Sequence, residues 1–155
     1  MKPFRNRYDH IQSFIDDYQS SIIVSKRNHH EHTCISISPK EANQAQVKMY
    51  IDTQTNYIDL EAGVGFHVTD TYWSDFPVEK VLRAVADGHL VEYIRLFNNK
   101  KIGASGYLTV DGESEPLYDN HTYSIIGEVL YLYKKQEKEI RYAPYRRSSQ
   151  IEGQD

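Results

Sequence analysis

The feature that most constrains the fold is a strict alternation of apolar and polar residues over positions 58–68. Six apolar side chains occupy every second position of this run: Ile58, Leu60, Ala62, Val64, Phe66 and Val68. Because successive side chains of a β-strand point to opposite sides, the run predicts a strand with one buried face. Gly63 and Gly65 fall on the other face, where they indicate a bend, a bulge or the close approach of another backbone.

Further strands are predicted on both sides of this run. Apolar residues alternate over positions 45–51, and two short β-type stretches, 22–24 and 34–38, flank a polar, histidine-rich loop. Runs 90–97 and 102–110 are separated by two asparagines and two lysines, which is typical of a hairpin turn. We expect a mainly antiparallel sheet of about six strands.

Two helices are predicted with clear limits. Residues 5–19 carry apolar side chains at intervals of three and four, the period of one face of a helix. A central helix is predicted to have Ser74 or Asp75 as its cap and Pro77 in its first turn, and to end at Gly88.

The C-terminal part of the chain is ambiguous. Apolar residues within 122–140 fit a helix, and a subset of them alternates as in a strand. The charged continuation at 134–141 favours a C-terminal helix, and residues 146–155 are typical of a disordered tail. The patterns together predict an α+β protein in which residues 1–145 form a single domain.

Composition limits the compartment and the cofactors. A chain of 155 residues is long enough to bury a core without disulfides or structural metals. Cys34 has no partner for an intramolecular disulfide, and the basic start at residues 1–5 is not followed by an apolar signal region. No run approaches the ~20 apolar residues that span a bilayer. We therefore expect a cytoplasmic protein without a cofactor and without membrane association.

Residues capable of chemistry occur without the spacing of known catalytic or metal sites. His29, His30 and His32 lie in the predicted hairpin loop, and imidazole is a common zinc or copper ligand, but no further Cys or His stands at a characteristic distance. The flanks of Cys34 and Ser105 match no nucleophile signature. The sequence predicts no catalytic residue and no metal site, and these three histidines are the weak metal candidates.

The charge of the chain is distributed unevenly. The net charge is −4, and no Lys or Arg occurs between Lys48 and Lys80 or between Lys101 and Lys134. Each of these two segments is rich in Asp and Glu, whereas residues 134–147 contain six basic and two acidic residues. This distribution predicts an acid-rich body with one basic strip near the end of the chain.

Aromatic residues accompany both acidic segments. Phenol and indole rings offer large, rigid contact areas with a polar tip, and carboxylates around them steer a basic partner. The predicted partner-binding residues are Tyr57, Asp59, Glu61, Asp70, Tyr72, Trp73, Asp111, Glu113 and Glu115. The alternative is that half of the thirteen tyrosines belong to the core and that the acidic residues are ordinary solubilising charge.

In its size, its acidic balance and its acidic stretches at residues 59–61 and 111–115, the chain resembles the immunity proteins of bacterial polymorphic and contact-dependent toxin systems. Those are small, cytoplasmic, catalytically inert α+β proteins. The resemblance implies a non-catalytic inhibitor that binds one cognate basic partner, a nuclease toxin domain whose phosphate-binding site is positively charged. It concerns general character and assigns no individual residue.

Two other functions fit parts of the sequence. Residues 141–147 interleave cations with aromatic rings, as in proteins that stack the bases of single-stranded nucleic acid. Residues 1–133 contain 12 basic and 18 acidic groups, which argues against a nucleic-acid partner. The third possibility is an enzyme or small-ligand protein that uses His67, His89 or the loop at 29–32.

Overall fold

Helices and strands are combined in an α+β fold, as predicted. The computed structural model describes residues 5–52, 54–55, 57–69, 77–109, 118–123, 125–133 and 136–151. The helices are α1 (Arg5–Tyr18), α2 (Val78–Ala86), α3 (Ile125–Tyr133) and α4 (Ser148–Ile151). The strands are β1 (Ile22–Asn28), β2 (His32–Pro39), β3 (Val47–Asp52), β4 (Ile58–Ala62), β5 (Phe66–Thr69), β6 (Leu90–Phe97), β7 (Lys100–Leu108), β8 (Tyr118–Tyr123) and β9 (Gln136–Arg141). The predicted N-terminal, central and C-terminal helices correspond to α1, α2 and α3.

The strands form two antiparallel sheets. Sheet A has the order β1-β2-β3-β4-β5, so that each strand pairs with the next one along the chain. Sheet B has the order β8-β7-β6-β9, in which the last strand returns to pair with β6. The described residues thus contain nine strands in two sheets, where the sequence predicted one sheet of about six. The three additional strands arise because one predicted strand divides into two, a predicted helical segment is extended as β9, and β8 was not predicted.

The alternating run at 58–68 is a hairpin rather than one strand. Its two halves, β4 and β5, pair with each other so that Leu60 lies opposite Val68. Gly63 adopts a φ of +63°, a left-handed conformation that glycine reaches without steric cost. Val64 at the turn is exposed, not buried as the alternation predicted. Alternation continues unchanged through this turn, so periodicity alone does not reveal it.

Residues 136–141 form strand β9, which corrects the helix predicted to continue through them. The helical part ends at Tyr133, and β9 pairs with β6 from Leu96 opposite Gln136 to Val91 opposite Arg141. Pairing along β6 gives the segment ladder hydrogen bonds on one side, and this outweighs the weak helix preference of its charged residues.

Part of the predicted tail is held on the body of the protein. The buried Ser148 accepts a hydrogen bond from the Ser20 backbone N–H at 3.2 Å, and the Ser21 hydroxyl donates to the Arg146 carbonyl at 2.7 Å. These contacts dock α4 beside the end of α1, because a buried backbone group needs a partner. Residues 152–155 lie outside the described residues.

One hydrophobic core lies between the inner face of sheet A and helices α1 and α2. Its largest fully buried side chains are Ile11, Phe14 and Tyr18 of α1, Ile37, Met49, Ile51, Ile58, Leu60 and Phe66 of sheet A, Leu82 of α2, and Leu90 and Leu108 of sheet B. The apolar residues Val78, Val81, Leu82 and Val85 of α2 are all buried. Pro77 is the N-cap of α2 and precedes its first turn, which corrects the predicted start at Ser74 or Asp75; these two residues lie outside the described residues.

An ion-pair network holds α1 against α2. Arg83 contacts Asp17 at 2.8 Å and Glu79 at 2.9 Å, and His10 of α1 contacts Glu79 at 2.7 Å. The hydrogen bond from Arg83 lowers the pKa of Glu79. Glu79 and Arg83, four residues apart on α2, therefore form an ion pair that extends to Asp17 on a second helix.

The two sheets are joined through Glu92, a fully buried carboxylate on β6. Its Oε1 accepts the N–H groups of Gly65 and Phe66 at 2.7 and 2.8 Å, and its Oε2 accepts the N–H of Val64 at 2.8 Å. The Tyr142 hydroxyl also donates to Oε2. Four donors thus compensate the buried charge, as burial of a carboxylate requires.

Replacing Gly63 by alanine is expected to lower the free energy of unfolding by about 2–4 kcal/mol. A Cβ at this position would stand 2.4 Å from Glu92 Oε2 and 2.6 Å from the Tyr142 hydroxyl, in a left-handed backbone conformation. Urea denaturation followed by circular dichroism measures the change.

The matched control is Gly65→Ala. A Cβ there has Lys101 Nζ, the mobile end of a long side chain, as its nearest neighbour at 3.4 Å. We expect a loss of less than ~1 kcal/mol. Equal destabilisation by the two substitutions would contradict a tightly packed carboxylate beneath Gly63.

Candidate functional site

The outer face of sheet A is the side of this sheet turned away from the hydrophobic core. Strand alternation and register place on it Arg27, His32, Cys34, Lys48, Tyr50, Asp52, Asp59, Glu61, His67 and Thr69. Tyr57, whose carbonyl accepts the Asp52 N–H at 2.9 Å, joins this face by the same alternation. Three predicted partner-binding residues, Tyr57, Asp59 and Glu61, therefore share one face.

Two rows of opposed residues cross the centre of this face. Lys48 lies between Ser36 and Glu61, and His67 follows Glu61 on the next strand. The neighbouring row consists of Cys34, Tyr50, Asp59 and Thr69. Directly opposed side chains in a sheet have Cβ atoms about 5 Å apart, so these residues interact across strands.

Tyr50 is the central aromatic residue of the face. The ammonium of Lys48 lies 5.1 Å from its ring centroid, and the His32 ring centroid lies 6.4 Å away. The pKa of Lys48 is raised, chiefly by its hydrogen bond to Tyr50 and with a smaller contribution from Glu61. Tyr50 is half-buried, so its ring is held in place while part of it remains accessible.

The carboxylates of the face differ in their surroundings. Asp59 is paired with His67 Nε2, whereas Glu61 is exposed beside Lys48. Asp52 accepts the N–H groups of Gln54 and Thr55 at 2.8 Å each, and these bonds lower its pKa. Asp52 therefore shapes the β3–β4 turn, and Glu61 is the carboxylate best placed for a partner.

The outer face of sheet A is less acidic than the sequence blocks suggested. Its three carboxylates face two permanent cations, Arg27 and Lys48, which leaves a charge of −1 while the histidines are neutral. These cations come from strands that precede the acidic segment in the chain. A count of charges along the sequence therefore assigns these cations and carboxylates to different segments, although the sheet places them side by side.

The predicted hairpin with a histidine-rich loop is confirmed at β1 and β2. The rings of His29 and His32 stack with centroids 4.9 Å apart, and the His29 N–H donates to the His32 carbonyl at 2.8 Å. Within the described ranges, no three His, Cys, Asp or Glu side chains are grouped so as to hold a metal ion. His32 therefore lies next to Tyr50 on the outer face of sheet A with His29 stacked on it, and His30 lies in the exposed loop.

The remaining predicted partner-binding residues lie outside the described residues. They are Asp70, Tyr72, Trp73, Asp111, Glu113 and Glu115. The structure therefore describes the carboxylates of each acidic segment only in part, through Asp52, Asp59, Glu61 and Glu79 of the first and Glu128 of the second.

A second aromatic surface, on the outer face of sheet B, was not predicted as a site. The rings of Tyr93 and Tyr107 meet edge to face at 5.8 Å, and the Arg95 guanidinium lies 4.2 Å from the Tyr131 ring centroid. Glu139, held by Arg141, raises the pKa of Tyr93. The alternation of Tyr93 and Arg95 with buried residues along β6 is the signal that would have revealed it.

Glu92 was also missed, although the sequence contains a signal for it. It occupies a core-facing position between Leu90 and Ile94, where alternation calls for an apolar side chain. A carboxylate at such a position must find buried donors. Since its oxygens are saturated with donors and it is fully buried, it serves the fold and is not accessible to a ligand.

The chain matches no protein-family model, no curated protein and no solved structure. In the part of the chain that the structure describes, no helix has the length and apolar character needed to cross a bilayer. Inference about function therefore starts from the surfaces themselves.

The isosteric change Glu92→Gln is expected to cost about 2–3 kcal/mol of unfolding free energy. It removes the negative charge that three backbone N–H groups share and turns an amide NH₂ towards donors. The same change at Glu61, which is exposed, is expected to cost less than ~0.5 kcal/mol. Similar denaturation midpoints for the two variants would refute the role given to Glu92.

Proposed function

We propose that this protein is a non-catalytic inhibitor that binds a basic protein partner through the outer face of sheet A. The observation that carries the proposal is the position of Tyr50, Tyr57, Asp59 and Glu61 together on this one accessible face. Tyrosine rings supply contact area and polar tips, and carboxylates pair with Lys or Arg of the partner.

The charge of the outer face of sheet A supports specific pairing more than long-range attraction. Its net charge is close to zero because Arg27 and Lys48 lie among the carboxylates. A partner therefore gains most from aligning its cations with Glu61 and Asp59 and its acidic groups with Lys48. Such a mixed pattern favours one cognate partner, because a wrong register brings like charges together.

A rigid scaffold supports the same proposal. Each strand of the face belongs to a sheet whose opposite side is packed in the core, and Glu92 fixes the β4–β5 turn at its edge. Binding surfaces that are ordered before association lose less entropy on binding. We infer that the face acts without a large conformational change.

Within this proposal the partner is a toxin domain of nuclease type and the chain is its immunity protein. The support is general: the chain is small, its net charge is −4, and its fold is α+β. A nuclease site is positively charged because it holds phosphates, so a tyrosine-rich surface with carboxylates is suited to cover it.

A nucleic-acid-binding function is the second candidate, favoured by Tyr93, Tyr107 and Arg95 on the outer face of sheet B. In the basic strip that suggested it, both tyrosines make contacts within the protein, and one of them is buried. Tyr145 is buried and bonds the Ala45 carbonyl, and Tyr142 bonds Glu92. If this candidate is wrong, the dissociation constant for single-stranded DNA is expected to exceed ~100 μM at 150 mM salt.

Reversing both charges, Asp59→Lys with Glu61→Lys, is expected to slow association with the partner about 10- to 100-fold at low salt and to leave the fold intact. The partner is first identified by capture with the wild-type chain and mass spectrometry. Its association rate is then measured by surface plasmon resonance at several salt concentrations, and its nuclease activity is measured with and without the chain.

The control for this experiment is Asp9→Lys with Asp16→Lys. Both residues are exposed on α1, on the opposite side of sheet A, and the net charge changes by the same amount. The control is expected to change the rate less than about 3-fold. Equal effects of the two double substitutions on the association rate would show that only the total charge matters. A captured partner whose activity the chain does not inhibit would contradict the inhibitor proposal.

A further inference from the structure

Helix α3 exposes an apolar surface that is unusual for a helix on a folded domain. Five of its nine residues are large, apolar and mostly solvent-accessible: Ile125 (85%), Ile126 (72%), Val129 (54%), Leu132 (73%) and Tyr133 (90%). Single exposed apolar residues are common on protein surfaces, but a contiguous group of them marks an interaction site.

The five residues form one stripe along the helix. At 100° per residue, they fall within an arc of roughly 120°. Gly127, Leu130 and Tyr131 occupy the opposite side, which faces sheet B through the contact of Tyr131 with Arg95. Glu128, the one charged residue of the helix, lies outside the arc. The helix therefore turns its smaller side towards sheet B and its larger apolar side towards solvent. We call this exposed apolar side, formed by Ile125, Ile126, Val129, Leu132 and Tyr133, the α3 stripe.

We propose that the α3 stripe is a dimer interface whose occupant is the same stripe of a second copy of this chain. The proposal is independent of the inhibitor function, which concerns the outer face of sheet A. It rests on the area of the stripe, on its symmetry and on the distribution of charge around it.

The exposed area of the α3 stripe is large enough for a dimer interface at the lower end of the size range. Side chains of this size, exposed to these fractions, present on the order of 100–150 Å² each, or about 500–750 Å² for the five. If the stripe were covered completely, two copies would bury at most about 1,000–1,500 Å², which reaches the lower range of specific protein interfaces.

The α3 stripe is self-complementary when two helices pack antiparallel. Val129 is the central residue of the helix and lies within the arc, so a two-fold axis through it places Ile125 against Tyr133 of the second copy. Ile126 then meets Leu132 in the same way. Antiparallel packing also aligns the helix dipoles favourably, and no charge is buried because Glu128 lies outside the stripe.

A lipid surface is a poorer occupant for this helix. Helices that lie on membranes carry Lys or Arg along the polar side, whereas the charged residue within α3 is Glu128. Glu128 beside the stripe opposes binding to anionic lipid, although Lys134 and Lys135 follow the helix in the sequence.

Sedimentation equilibrium in the presence of a reducing agent tests the proposal on the full chain. The wild type is expected to shift from 18.1 kDa to twice that mass between low and high micromolar concentration. Val129→Glu and Leu132→Lys each place a charge in the stripe and are expected to raise the dimer dissociation constant at least about 100-fold. Both residues are exposed, so the fold is expected to persist, and circular dichroism checks it.

The control is Ile23→Glu, the same type of change at an exposed residue of edge strand β1. It is expected to leave the dimer intact. Dissociation by Ile23→Glu with no effect of the two stripe variants would show that copies associate through the sheet edge, and this would overturn the proposal.

Two further outcomes would also overturn it. A wild type that stays at 18.1 kDa up to ~100 μM has no such interface. A monomer that sediments with phosphatidylglycerol vesicles, more strongly as Leu132→Lys and less strongly as Val129→Glu, would make a membrane the occupant.

Discussion

The rest of the structure depends on one buried carboxylate. Glu92 reaches from sheet B into the β4–β5 turn of sheet A and also binds Tyr142 in the C-terminal segment, so three parts of the chain meet at two oxygen atoms. Burial raises the pKa of Tyr142, which keeps its hydroxyl protonated as a donor. In a medium of low polarity, charge-assisted hydrogen bonds are strong and an unpaired partner is costly. The turn, the position of sheet B and the course of the C-terminal segment are therefore coupled.

The tyrosines that the structure describes include residues buried in the core and residues accessible on the surface. Tyr18 and Tyr145 belong to the core and meet edge to face, while Tyr50 remains on the outer face of sheet A. Among the described residues, some tyrosines therefore belong to the core and others are accessible for a partner. The proposed partner surface uses the accessible tyrosines. The α3 stripe is a second exposed surface, and its chemistry is apolar.

Local patterns predicted several elements well. The hairpin of β6 and β7 turns at Asn98 and Asn99, both with positive φ, as two-residue hairpin turns require. Helix α1 ends one residue before its predicted limit. The errors occurred where a local pattern is compatible with two structures: alternation passes through the turn at Gly63, and the charged segment of β9 becomes a strand only because β6 offers it an open edge.

By itself, the sequence determined the α+β class, the two hairpin loops at 25–33 and 98–101, and the buried face of most of the strands that it predicted, because these follow from periodicity and turn chemistry within short segments. The tertiary structure alone decided which charges become neighbours. Lys48 lies opposite Glu61, and Glu92 finds its donors 26 to 28 residues away in the chain. It also decided that the larger apolar side of α3 is left outside. Such pairings depend on strand register and packing between distant segments, which no local pattern specifies.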